Sequence, residues 1–120
     1  MTSGEAEPGA PHPFSVDRAG SGERCRLTVR GDVDIDVAPR LTAAVGDALR
    51  SGCRQVAVDL SSVTFMDSTG LTALLRARED VVASGGSLRL TEVSPAVVRL
   101  LDIAALTDDL LGGRGGGEAP

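Results

Sequence analysis

The sequence has no lysine, no tryptophan and no tyrosine, and it has two phenylalanines, two cysteines and a single histidine. Each shortage excludes something. With so few aromatic rings, the core has to be assembled from Val, Leu, Ile and Ala. The one histidine, His12, stands between two prolines near the N-terminus, which removes a Ser–His–Asp triad. Cys25 and Cys53 stand apart, with no C-x-x-C pattern and no histidine partner, so no metal site is expected. The pair reads as two buried, reduced thiols. No apolar run approaches the roughly 20 residues that cross a bilayer. The opening "MTSGEAEPGAPHP" carries acids and prolines where a secretion signal has a basic region and an apolar core, so a cytoplasmic location without membrane contact is expected. All twelve basic residues are Arg, and they are dispersed through a chain of net charge −5. Direct nucleic-acid binding wants a clustered positive face and is not expected. G-x-S-x-G, P-loop and G-x-G-x-x-G motifs are all absent, and "DST" is not the D-[ST]-G of a pepsin-like protease. The chain therefore reads as neither an enzyme nor a cofactor carrier.

What is present is an ordinary globular balance. The 120 residues are 42% hydrophobic and 24% charged, which suits one domain with a real core. Residues 1–13 and 112–120, rich in Pro, Gly and Ala, read as flexible tails around a single domain over 14–111. "FSVD" at 14–17 suggests a short first strand, and "AGSGER" a turn. "CRLTVRGDV" at 25–33 alternates, with Leu27, Val29 and Val33 on one side and Arg26, Thr28 and Arg30 on the other. Gly31 inside it marks a bulge or a close backbone approach.

Val37, Leu41, Ala44, Val45, Ala48 and Leu49 recur at helical spacing over about 36–50, with Pro39 in the first turn and Gly52 as the stop. A strand over 55–60 follows, then "SSV" as a turn. A second helix is expected over 68–83, its buried stripe made of Leu71, Leu74, Leu75, Val81 and Val82, ended by "SGG". "SLRLT" at 87–91 reads as a strand. Ser94 and Pro95 start a third helix, and "DDLL" at 108–111 reads as a last short strand. Strands alternating with helices give βαβ units and an α/β fold with a mixed, largely parallel sheet of four to five strands. Strands that alternate in polarity place the helices mainly on one face.

Two short stretches carry the chemistry. In "FMDSTGL", Asp67 or Ser68 caps the second helix, and that explains one acid and one hydroxyl. It leaves Thr69 and Gly70 without a reason, because Gly in a helical turn weakens the helix by about 0.5–1 kcal/mol relative to Ala. The other reading is a phosphorylated Ser68 at the positive end of the helix dipole. In "GDVD" at 31–34, Asp34 follows one strand end as Ser68 follows another, and in a parallel sheet the two share an edge. Alternatively, Asp34 or Asp36 caps the first helix.

In order, "LTVRGDVDIDVAPRL", "VAVDLSSVTFMDSTGLTALL" and "GGSLRLTEVSPAVVRLLDIAAL" resemble the STAS domain, and within it the stand-alone bacterial anti-sigma factor antagonists. The resemblance covers about 14–111, and "FMDSTGL" is its most specific part. It implies a partner-switching phosphoprotein that regulates transcription through a sigma factor. Ser68 matches the serine phosphorylated by an anti-sigma factor serine kinase and restored by a serine phosphatase. The unphosphorylated form binds the anti-sigma factor and frees the sigma factor. Asp34 and Asp67 match the family's acids, and Asp67, Ser68, Thr69 and Gly70 together with Asp34 are the implied partner-binding residues. Two features depart from the family: Ala105 stands where a glycine is usual, and "LTDDLL" runs into a Gly-rich tail where a further strand and helix are usual. The second reading is a non-signalling STAS adaptor that docks on a transporter or a multi-protein scaffold.

Overall fold

The computed structural model describes residues 12–103. The strand expected over 108–111, Ala105 and most of both expected tails lie outside the described residues. The elements follow in the order β1 (Ser15–Ser21), β2 (Arg24–Val33), α1 (Ala38–Arg50), β3 (Gln55–Met66), α2 (Ser68–Ala83), β4 (Ser87–Val93) and α3 (Pro95–Ile103). The four strands lie in sequence order in one sheet. β1 runs antiparallel to β2, while β2, β3 and β4 are mutually parallel.

The alternation seen in the sequence becomes the division between the two faces. Leu27, Val29 and Val33 of β2, Val58 and Leu60 of β3, and Leu88 and Leu90 of β4 are buried, while their neighbours Arg24, Arg26, Arg30 and Arg89 are exposed. The helices therefore cover one face. Leu41, Val45 and Ala48 of α1 and Leu74, Ala77 and Val81 of α2 turn inward, and the two helices pack on each other. Val97 and Leu101 seat α3 on the same core. An aliphatic core this dense does without aromatics because β-branched and Leu side chains fill a parallel sheet well.

Four differences from the sequence reading have physical causes. First, "SSV" is no turn, because β3 runs on to Met66. The Asp59 carboxylate accepts from the Ser61 backbone N–H at 2.9 Å and from its hydroxyl at 2.7 Å, and the pairing with β2 slips by one residue there. Serine serves a bulge with the same local hydrogen bonding that serves a turn. Second, β1 is longer than 14–17 and reaches Ser21. Third, Val82 lies outside the α2 stripe and is 57% exposed, whereas Ala77 takes the buried place. At about 100° per residue, Val82 cannot share the face of both Leu74 and Val81.

Fourth, Cys25 and Cys53 are joined as a disulfide with their Cα atoms 6.0 Å apart, in place of two reduced thiols. A separation of 28 residues hid the pair. Cys25, the second residue of β2, lies opposite Val56, and the Cys53 N–H donates to the Ala48 carbonyl at 3.0 Å, where α1 ends. The sheet register and the helix end bring the two sulfurs together on the core side. Unreduced, denatured protein should give no signal with a thiol reagent. Reduction should expose both thiols and lower the unfolding free energy by about 3–4 kcal/mol in urea titration, for a closed loop of this length. A free thiol in the unreduced protein would contradict the pairing.

Candidate functional site

β2 and β3 end together, since Val33 pairs with Met66. Asp34 and Asp67 are the next residues on each, so they emerge side by side at the C-terminal edge of the sheet. The Asp67 N–H reaches the Val33 carbonyl at 3.4 Å and extends that pairing by one step. The two acid-bearing stretches singled out in the sequence thus meet at one edge.

Asp34 is half-buried. Its Oδ1 accepts from the backbone N–H of Asp36 at 3.0 Å and of Val37 at 3.3 Å. Its carbonyl accepts from Val37 and Ala38 at 3.2 and 2.9 Å. This Asx-turn feeds the chain into α1, whose N-cap is Val37 with no side-chain cap hydrogen bond, so neither Asp34 nor the exposed Asp36 caps the helix. The second carboxylate oxygen of Asp34 has no partner among the described residues.

At α2, Asp67 is extended and its Oδ1 accepts from the Gly70 N–H at 3.0 Å, which makes it the N-cap. Ser68 is then the first helical residue. It is exposed, and its hydroxyl makes no hydrogen bond among the described residues. Thr69 is half-buried and lines a depression of about 300 Å3 between the starts of α1 and α2, together with Ile35, Pro39 and Thr42. Ile35 forms an apolar rim there and is 66% exposed.

Gly70 is buried, and it is needed for packing. A Cβ at this position would lie 2.8 Å from the Val33 carbonyl oxygen and 2.9 Å from side-chain carbons of Val33 and Met66. The glycine that capping left without a reason is therefore required by the close approach of β2, inside the protein. Gly70 places the site but does not face outward.

Asp32, two residues before Asp34, has a structural part the sequence did not reveal. Its carboxylate accepts from the Thr64 hydroxyl at 2.6 Å and from the His12 backbone N–H at 3.1 Å. The Thr64 hydrogen bond holds its carboxyl below the ordinary range, partial burial opposes this, and the His12 contacts lower it further. Gly31 makes this strap possible. Its φ is +89°, and a Cβ there would lie 2.0 Å from the Pro13 carbonyl oxygen. His12 and Pro13, expected in a tail, thus lie against the end of β2. Both the bulge and the close approach read from Gly31 are present, since the β2–β3 register also shifts between Gly31 and Asp32. Among the described residues, no three His, Cys, Asp or Glu side chains are grouped to hold a metal, and no helix is long and apolar enough to cross a membrane.

A four-stranded mixed sheet, helices on one face and an exposed serine behind an aspartate N-cap at the C-terminal edge define a class of α/β domain. The family described as "Mlab, STAS domain" matches residues 16–112, and the chain belongs to this STAS-domain family. Among curated relatives, the anti-sigma-B factor antagonist of Bacillus subtilis (strain 168) is 31% identical over 79% of this chain and 86% of its own length. The anti-sigma F factor antagonist of Paenibacillus polymyxa is 30% identical over 67% of this chain and 69% of its own. Among solved structures, an anti-sigma factor antagonist from Mycobacterium paratuberculosis superimposes with a TM-score of 0.72 at 25% identity, covering 84% of this chain and 86% of that one. SpoIIAA shares the fold in its unphosphorylated form with a TM-score of 0.67 at 20% identity, over 78% of this chain and 82% of that one.

The two candidates for the cap, one acid and one hydroxyl, are separable by mutation. Asp67→Ala should cost about 1 kcal/mol of stability in urea denaturation, as loss of an N-cap does. Ser68→Ala should change it by less than about 0.5 kcal/mol, as a surface substitution does. A larger loss from Ser68→Ala would return the capping role to Ser68.

Proposed function

We propose that this chain is a cytoplasmic anti-sigma factor antagonist and that Ser68 is its phosphorylation switch. The observation that carries the reading is the unbonded, exposed Ser68 hydroxyl beside an acid that already caps the helix. The relatives near 30% identity named as anti-sigma factor antagonists support the role. Unphosphorylated, the C-terminal edge with Asp34, Asp67, Ser68 and Thr69 receives an anti-sigma factor that is also a serine kinase. The partner is thereby withdrawn from its sigma factor. Transfer of a phosphoryl group to the Ser68 oxygen ends the contact, and a serine phosphatase restores it. The chain itself binds and is modified, and catalysis belongs to its partners.

The switch works by local charge. A phosphate adds about −1.5 to −2 charges and three acceptor oxygens. The N-terminus of α2 tolerates that charge because its free N–H groups and dipole favour anions by roughly 0.3–1 kcal/mol. The fold has no reason to change. A partner carboxylate about 5 Å away would meet each added charge with roughly 3 kcal/mol of repulsion at an effective dielectric near 20, and screening removes about half. What remains is about tenfold in affinity, and bulk adds to it.

Ser68→Ala should bind the cognate anti-sigma factor constitutively. Ser68→Asp and the phosphoprotein should bind at least about tenfold more weakly in titration calorimetry. Far-UV circular dichroism of all forms should superimpose. Equal affinity for the three would remove the switch and promote the adaptor reading.

A further inference from the structure

The starts of α1 and α2 leave a groove beside Ser68. Thr69, Thr72 and Arg76 recur at helical spacing and form one stripe along α2. Pro39 and Thr42 of α1 lie across from them, and together they line the depression of about 300 Å3 whose rim is Ile35. The hollow exists because two of its buried lining residues, Ala38 and Ala73, carry only a methyl group. Neither the Asp67 cap nor the Ser68 hydroxyl uses Ile35, Thr72 or Arg76.

Three observations describe what fits there. First, the surface is aliphatic carbon from Ile35, Pro39 and the two alanines, and Ile35 stands 66% exposed against the hollow. Second, the two ends differ in charge. Asp34 and Asp36 flank Ile35 at one end, and Arg76 is exposed at the other. Third, Arg76 is unpaired. Glu79 and Asp80 follow it on α2, yet among the described residues it makes no hydrogen bond or ion pair, whereas Arg30 and Arg50 pair with Asp17 and Asp47. Long side chains on a helix lean toward its N-terminus, so this guanidinium leans back toward the groove it lines.

We propose that the groove seats a segment of the anti-sigma factor that presents a large aliphatic side chain with a carboxylate beside it. The aliphatic group rests on Ile35 and Thr72, and the carboxylate meets Arg76. The inference rests on reading the Ser68 edge as the partner contact, and it adds what selects the partner. Continuity favours this occupant, since Thr69 belongs to both the edge and the groove. A protein seated on Ser68 lies over the groove as well. Arg76 stands two helical turns beyond Ser68, about 12 Å along α2 at 1.5 Å per residue. Charge at physiological salt is screened over about 8 Å. A phosphate on Ser68 therefore leaves the groove contact in place, and a kinase can hold the chain there while it modifies the edge. The groove decides which anti-sigma factor binds, and Ser68 decides when.

Titration calorimetry of the full chain with its cognate anti-sigma factor tests this, using Ile35→Ser and Arg76→Gln, each with and without phosphate on Ser68. Both positions are exposed, so both variants should keep the far-UV dichroism of the parent. Ile35→Ser should weaken binding at least about tenfold. Arg76→Gln should weaken it about three- to tenfold and flatten its dependence on salt. Phosphorylation should lower affinity by the same factor in each variant as in the parent, because the two contacts are separate. That factor reads the switch alone. Its absence, with both variants still weakened, would remove the switch and leave the groove standing. Parent-like affinity in either variant would overturn the groove. So would altered self-association of the variants in sedimentation equilibrium, which would seat a second copy of this chain there. A phosphorylation effect that vanishes in Arg76→Gln would also overturn it, by making Arg76 part of the switch.

Discussion

The start of α2 rests on the backbone of Val33, and a glycine at position 70 is what lets it. A methyl group there would sit 2.8 Å from the Val33 carbonyl oxygen, closer than such atoms approach. That contact fixes the arrangement around it. It presses α2 onto the joined ends of β2 and β3, so Asp67 can both extend the sheet toward Val33 and turn its carboxylate to the Gly70 N–H. With the cap supplied by the preceding residue, the Ser68 hydroxyl has nothing to hold. A serine that stabilises nothing can be modified without unfolding anything. The position of Asp34 follows from the same contact, since it leaves β2 one residue beyond Val33.

Most of the framework was legible because it depends on short-range pattern. Leu27, Val29 and Val33 alternate, Leu41, Val45 and Ala48 recur at helical spacing, and Ser94–Pro95 opens a helix where expected. The bounds of α2 coincide with those read from the sequence. The one-sided helix layer also followed from alternation, because a sheet buried on both faces has no polar positions to spare. What escaped the sequence was everything that needs register. The Ser61 bulge and the Cys25–Cys53 bond each depend on which residues lie opposite one another.

The site was legible in part. Asp34, Asp67 and Ser68 were singled out, and the structure brings them to one edge. Their division of labour was hidden, because an acid and a hydroxyl cap a helix almost equally well and only the backbone decides between them. Gly70 stood out as a glycine that capping does not explain, but the sequence could not say what required it. Asp32 and Asp34 share the "GDVD" motif and differ only in the neighbours they meet: Thr64 and His12 for the first, the turn into α1 for the second. The domain thus presents an acidic, capped edge at the strand C-termini.

The central claim is that charge on Ser68 acts locally on a fold that stays as it is. Amide spectra of the chain before and after phosphorylation of Ser68 test it most directly. The account predicts shifts confined to residues 33–37 and 66–72, with the amides of Arg24, Arg26, Ala57 and Arg89 unmoved. Shifts or line broadening spread through β1, β4 and α3 would show that phosphorylation rearranges the fold and would contradict the account.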